Sequence, residues 1–83
     1  MNTIWKYPVK PSVSMPGGAT VLTVRYQAGV LMAWCSVDTD APMVEREFYV
    51  YGTGEPDAPA SHLEQYVASV QDGPYVWHVY VRG

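Results

Sequence analysis

The chain has 83 residues, one cysteine and a formal net charge of −3, which leaves room for one domain and excludes an internal disulfide framework. Its lysines and arginines are scattered along the sequence, which argues against duplex nucleic acid as a partner. The longest apolar run is far shorter than the roughly 20 residues that cross a bilayer, and the start lacks the pattern of a secretory leader, so we expect no membrane partner and a cytoplasmic location.

The aromatic residues lie in runs that alternate apolar and polar side chains. Seven tyrosines and three tryptophans contribute to these runs, whose two-residue period is typical of half-buried strands. We therefore predict a single all-β domain over residues 1–83, a small antiparallel β-sandwich or partly open barrel of about six strands.

The first predicted strand covers Thr3 to Val9. Pro8 cannot donate a hydrogen bond to a neighbouring strand, so this strand should lie at a sheet edge. The sequence Met15-Pro16-Gly17-Gly18 predicts a turn, because proline presets one backbone angle and glycine accepts a positive φ.

A hairpin is predicted from Ala19 to Val37, with its reversal at Ala28-Gly29. The outgoing strand should place Leu22, Val24 and Tyr26 on one face. In the returning strand both faces are largely apolar, which predicts a central strand covered on both sides.

The second half of the chain predicts three more strands. Val44 to Tyr51 alternates again, and the glycines and prolines from Gly52 to Ala60 indicate a loop. A short helical turn is predicted at Ser61 to Gln65, where Ser61 and Glu64 have capping-box spacing.

The closing hairpin joins Tyr66–Gln71 to Tyr75–Arg82. We predict a type I′ turn at Asp72-Gly73. Alternation in the last strand should direct Trp77, Val79 and Val81 to the core and His78, Tyr80 and Arg82 outward.

Few residues have catalytic or metal-binding potential. Two histidines and one cysteine are too few for a self-contained zinc site, so we expect no metal and no cofactor. Apolar neighbours predict that Cys35 is a small core residue and not a nucleophile. His78 is either a hydrogen-bonded surface histidine or, if a carboxylate lies beside it in a cleft, a general base. The segment Tyr51-Gly52-Thr53-Gly54 is either a ligand loop or a plain turn.

The predicted contact surface consists of outward aromatic rings and their polar neighbours. Such rings favour protein interfaces or stacking on nucleobases, unless a second layer buries them. The candidate binding residues are Trp5, Lys6, Tyr7, Arg46, Tyr49, Tyr51, Thr53, His78 and Tyr80.

Five short segments spread along the chain form a recognisable set of motifs. They are Ile4-Trp5-Lys6-Tyr7-Pro8, Met15-Pro16-Gly17-Gly18-Ala19, the segment from Asp38 to Pro42, Tyr51-Gly52-Thr53-Gly54 and Val76-Trp77-His78-Val79. Together they resemble a family of short, uncharacterised bacteriophage and prophage proteins, over nearly the whole chain. Members of that family often carry histidine directly after Gly-Thr-Gly, where this chain has Glu55.

The resemblance implies a phage accessory protein that acts in the host cytoplasm during infection. We expect a non-enzymatic homo-oligomer that binds a host protein stoichiometrically, in counter-defence or host takeover. An alternative is sequestration of a nucleotide immune signal, with rings stacked on the base and Lys6, Arg46 and loop amides on the phosphates. A small hydrolase-type enzyme is the third hypothesis.

Overall fold

The computed structural model describes residues 1–56 and 64–82, which form seven antiparallel strands and, within those ranges, no helix. Accordingly, no helix of the described residues is long and apolar enough to cross a membrane. The strands are β1 (Asn2–Pro8), β2 (Ser12–Pro16), β3 (Thr20–Gln27), β4 (Val30–Asp38), β5 (Met43–Gly52), β6 (Glu64–Asp72) and β7 (Tyr75–Arg82).

The strands form two separate sheets packed face to face. The three-stranded sheet has the order β1-β4-β3 and the four-stranded sheet the order β2-β5-β7-β6. The predicted all-β fold is confirmed in its sandwich form, since among the described residues the two sheets share no strand pairing and do not close into a barrel.

The core lies between the sheets and is built from small and medium side chains. Cys35 is fully buried, as its apolar neighbours predict. Inward residues of both sheets contribute, namely Val24, Ala33, Cys35 and Val37 from the smaller sheet and Val13, Met15, Phe48, Val79 and Val81 from the larger one.

Strand β4 is the centre of the smaller sheet, as its composition predicts, but only one of its faces is covered. Ala33 and Cys35 point into the core, whereas Val30 on the other face is 47% exposed. Met32 and Trp34 are half-buried. The prediction of two covered faces is wrong because no further layer packs outside this sheet among the described residues.

Strand β2 replaces most of the turn predicted at Met15 to Gly18. Val13 and Met15 point into the core while Ser12 and Ser14 are exposed. This is the alternation of a strand, but it covers too few residues to be recognised in the sequence. Pro16 ends the strand opposite Met43, where β2 is an edge and the missing N–H costs little. Only Gly17 and Gly18 form the turn, with Gly18 at φ 77°.

Two β-bulges interrupt the alternation. In β3 the ladder with β4 shifts between Val21 and Thr23, so Leu22 is the extra residue and is 51% exposed. In β6 the ladder with β7 shifts between Tyr66 and Ala68. The prediction that Leu22 shares one face with Val24 is wrong, since one inserted residue reverses the alternation.

The two hairpin turns differ in type. Ala28 and Gly29 both have positive φ, 52° and 80°, and Gln27 pairs with Val30, so the predicted reversal is confirmed in the type I′ form. The second reversal lies one residue later than predicted, because Asp72 already pairs with Tyr75. Gly73 has φ 56°, and Pro74 cannot adopt a positive φ, so a type I′ turn is excluded.

Edge position and loops complete the architecture. Strand β1 lies at an edge, as Pro8 predicts. The loop predicted over Gly52–Ala60 and the helical turn over Ser61–Gln65 fall largely on residues 57–63, which lie outside the described residues. Glu64 and Gln65 already belong to β6.

Candidate functional site: a tyrosine face on the larger sheet

The outer surface of the four-stranded sheet carries a cluster of rings from three adjacent strands. Tyr49 pairs with Tyr80 and Tyr51 with His78 across β5 and β7, and Tyr66 of β6 pairs with Tyr80. Directly paired residues share one face, and their neighbours Phe48 and Val79 are buried on the other. We call these five residues, Tyr49, Tyr51, Tyr66, His78 and Tyr80, the tyrosine face.

Tyr80 lies at the centre of the tyrosine face and orders its neighbours. Its ring centroid is 5.9 Å from that of Tyr51 at an interplanar angle of 79°, and 5.7 Å from that of Tyr66 at 71°. Both are edge-to-face arrangements, which match the positive edge of one ring to the negative face of the next. Tyr66 nevertheless remains 57% exposed, so the cluster is held in place and still accessible.

His78 is fixed by a hydroxyl on each ring nitrogen. Thr53 Oγ1 lies 2.8 Å from Nε2, Ser69 Oγ lies 2.7 Å from Nδ1, and Tyr66 Oη lies 2.7 Å from Ser69 Oγ. A neutral imidazole donates from one nitrogen and accepts at the other, and hydroxyls can serve either role. The described partners of His78 are therefore hydroxyls, and they do not include the carboxylate that a general base of the triad type needs.

The turn after β5 is closed by its own polar groups. The Gly52 N–H donates to Glu55 Oε2 at 2.6 Å, the Thr53 N–H donates to the Val76 carbonyl at 3.2 Å and the Glu55 N–H to the Gly52 carbonyl at 3.0 Å. Glu55 thus completes the turn. These contacts occupy the Gly52 and Thr53 amides, and they place a carboxylate where a phosphate would have to approach.

One end of the tyrosine face is bordered by charged groups. Tyr49 Oη donates to Glu47 Oε2 at 2.5 Å, and Arg82 Nη1 lies 3.9 Å from the same carboxylate oxygen. The hydrogen bond to Glu47 raises the pKa of the Tyr49 hydroxyl. The tyrosine therefore stays a protonated donor at neutral pH. The ion pair described at this border, Arg82 with Glu47, joins two residues of the chain itself.

The structure brings together five of the nine predicted binding residues. Tyr49, Tyr51, His78 and Tyr80 belong to the tyrosine face, and Thr53 supports His78. Trp5, Lys6 and Tyr7 lie on β1 in the other sheet. The nine residues therefore do not form a single surface.

The β1 residues have their own local contacts. Lys6 Nζ donates to Gln27 Oε1 at 2.6 Å and lies 5.9 Å from the centre of the Trp34 ring. Tyr7 packs against the core, because it pairs with the buried Ala33. Trp5 shares that inward direction at the sheet edge and is 41% exposed.

Arg46, the remaining predicted binding residue, points between the sheets and is only 8% exposed. Its Nε donates to the Arg82 carbonyl at 3.2 Å and its Nη1 to the Ala19 carbonyl at 2.8 Å. It therefore cannot contribute to a surface shared with the tyrosine face.

Sequence reasoning missed Tyr66 and Ser69. They are three positions apart, so a strict two-residue period directs them to opposite faces. The bulge at Val67 restores them to one face, where Tyr66 contacts Tyr80 and Ser69 contacts His78. The sequence indicates this contact only through the β6–β7 hairpin, whose register sets Ser69 opposite His78.

Comparisons with known proteins give a family but no activity. A model of the family described as a domain of unknown function, DUF7352, matches residues 1–83. No curated protein and no solved structure matches the chain. Within residues 1–56 and 64–82, no three His, Cys, Asp or Glu side chains are grouped as metal ligands would be.

Proposed function

Because this chain belongs to the DUF7352 family over its whole length, whose description assigns no activity, we propose a function from its own surface: it is a non-enzymatic protein-binding domain, and the tyrosine face is its contact surface. The observation that carries this proposal is the ordered trio of Tyr51, Tyr80 and Tyr66, held edge to face on an open sheet.

The physical properties of these side chains suit a protein partner. Tyrosine offers a large apolar area and one hydroxyl while losing little conformational entropy, which is why it is enriched at interfaces. Here the rings are ordered before binding, because Tyr80 contacts two of them and His78 is fixed by two hydroxyls. Pre-ordering reduces the entropy lost on association.

A nucleotide fits this face less well. The cation at its border, Arg82, already faces Glu47, and Lys6 lies on the other sheet. The Gly52 and Thr53 amides are occupied within their own turn. A phosphate bound here would lack the cations and free amides that such groups require.

The sequence resemblance to phage and prophage proteins gives the proposal its biological setting. In that setting the partner is a host protein, and stoichiometric binding would serve counter-defence or host takeover. Binding through a flat sheet face, without chemistry, is consistent with this role.

The proposal is tested by comparing two equally exposed tyrosines. Tyr66 belongs to the tyrosine face and is 57% exposed, while Tyr75 is 61% exposed and stacks on Trp77 with a centroid distance of 6.0 Å. The tagged protein is isolated from the host, the captured protein is purified, and its Kd is measured for wild type, Tyr66→Ala, Tyr80→Ala and Tyr75→Ala.

We expect Tyr66→Ala and Tyr80→Ala to weaken binding by at least about tenfold, as interface tyrosines do, and Tyr75→Ala to change Kd less than about twofold. Thermal melts of all variants establish that the fold is retained. Equal weakening by Tyr75→Ala, or a nucleotide released from the purified protein with no protein partner, would contradict the proposal.

A further inference from the structure

A cavity of about 360 Å³ opens where the edge strands of the two sheets approach each other. Its lining comes from the start of β3 and the turn before it, the start of β6, and the inner face of β5 and β7. Six of the nine lining residues are small or apolar, and the others are Gln65, Tyr66 and the buried cation Arg46. The lining residues that matter are Ala19, Thr20, Val21, Arg46, Val67 and Val81.

Arg46 is the buried cation of this cavity, and its charge has no counter-ion among the described residues. The described ion pairs elsewhere join Met1 to Asp38 and Asp40, and Arg82 to Glu47. Burying an unpaired charge is costly, because the neutral interior cannot replace the hydration of the ion. A ligand that supplied a negative charge would remove that cost.

The guanidinium of Arg46 is also positioned in advance. Its two hydrogen bonds go to backbone carbonyls of Arg82 and Ala19, which fix its orientation without neutralising it. A guanidinium has five N–H donors, and these bonds use two of them. Three donors therefore remain for the oxygens of a carboxylate.

The charge of Arg46 affects a titratable group of the core, the Cys35 thiol. Burial raises the pKa of the Cys35 thiol, and the Arg46 charge opposes that rise. Because Arg46 is itself only 8% exposed, an added anion would interact with it more strongly than with an exposed arginine.

We propose that this cavity binds a small organic carboxylate with a compact apolar body. The carboxylate meets the Arg46 guanidinium, and the apolar body lies against Val21, Val67 and Val81. The volume is at the lower end of the range for ligand pockets, so the ligand is small. The site opens between the sheets and shares one lining residue, Tyr66, with the tyrosine face.

The first test compares hexanoate with its neutral counterpart hexanamide, which has the same chain and no charge. Binding to the full chain is followed by NMR through the methyl groups of Val21, Val67 and Val81. We expect saturable shifts with hexanoate and a Kd at least about tenfold lower than for hexanamide, because only the carboxylate pairs with the buried charge.

Two arginine variants identify the group responsible. Arg46→Met removes the buried charge and should abolish the preference for hexanoate over hexanamide. Arg25→Met removes an exposed arginine of β3 and should leave the preference intact. If Arg46→Met does not fold, Arg46→Lys keeps a charge but loses the planar fork, and it should weaken hexanoate binding at least about tenfold.

The proposal is overturned if about 10 mM hexanoate gives no saturable shift, since a Kd of about 1 mM would then be near saturation. Equal affinity for hexanamide, or hexanoate binding unchanged by either substitution at Arg46, would overturn it too. The substitutions at Arg46 leave Tyr66 and the rest of the tyrosine face unchanged, so the protein-binding proposal is judged separately.

Discussion

Cys35 and Tyr7 place titratable groups in the core, where solvent cannot stabilise their ionised forms. Cys35 is fully buried, and the Tyr7 hydroxyl is buried without a hydrogen-bond partner among the described residues. Desolvation raises the pKa of both side chains above their ordinary values of 9.0 and 10.0. Apolar neighbours in the sequence predict the burial of Cys35, but the position of Tyr7 depends on its register against Ala33.

These raised pKa values predict a loss of stability at alkaline pH. The folded state holds both protons to higher pH than the unfolded chain, in which the ordinary pKa values are 9.0 for Cys35 and 10.0 for Tyr7. The contribution of these two groups to stability is therefore constant below about pH 8 and falls as pH rises through their ordinary pKa values. In urea unfolding between pH 8 and 10, we expect Cys35→Ala to reduce this slope by up to about 1.4 kcal/mol per pH unit. An unchanged slope would show that Cys35 does not titrate differently in the two states.

At the scale of the strand, alternation predicts the regular elements and fails at the bulges. Strands β4, β5 and β7 follow a two-residue period, so their inward residues could be identified from the sequence. Strands β3 and β6 each contain one extra residue, Leu22 and Val67. A bulge is set by pairing with a distant strand, and neither residue type signals it locally.

The turn between β3 and β4 carries a strained residue. Ala28 has φ 52° and Gly29 has φ 80°, and an L-residue with a side chain loses roughly 1 kcal/mol or more in this region. Asparagine tolerates it better and is preferred at this position of a type I′ turn. We expect Ala28→Asn to stabilise the domain by up to about 1 kcal/mol, with a Tm rise of several degrees.

A substitution at the neighbouring glycine provides the control. Nothing lies within 4 Å of a Cβ built on Gly29, so Gly29→Ala adds backbone strain without a collision. It should destabilise by roughly 1 kcal/mol or more. If both substitutions shift Tm in the same direction, the turn does not have this geometry in solution.

For the molecule as a whole, the pairing of strands that are distant in the chain is the part of the fold that could not be predicted from the sequence. Hairpins β3–β4 and β6–β7 join neighbours in the chain and were predictable, whereas β1 pairs with β4 and β2 with β5 across intervening segments. These long-range pairings place Trp5 and Lys6 on one sheet and His78 on the other. Local patterns therefore identified many residues of the tyrosine face but could not separate them from the residues of β1.

Met15 tests whether the short strand β2 completes the core. Its side chain is fully buried, whereas Met43, at the start of the strand paired with β2, is 57% exposed. We expect Met15→Ala to lower the free energy of unfolding by about 2 to 5 kcal/mol and Met43→Ala to change it by less than about 0.5 kcal/mol. Equal effects in denaturant titrations would mean that β2 does not seal the sandwich.

The four outermost strands share a property that matters when many copies are crowded together. β1 and β2 end in prolines, and β3 and β6 are bulged. Each device disturbs the straight row of backbone donors and acceptors that another chain would need to extend a sheet. We therefore expect these edges to resist fibril-like stacking at high concentration, so that self-association would use side chains on a sheet face.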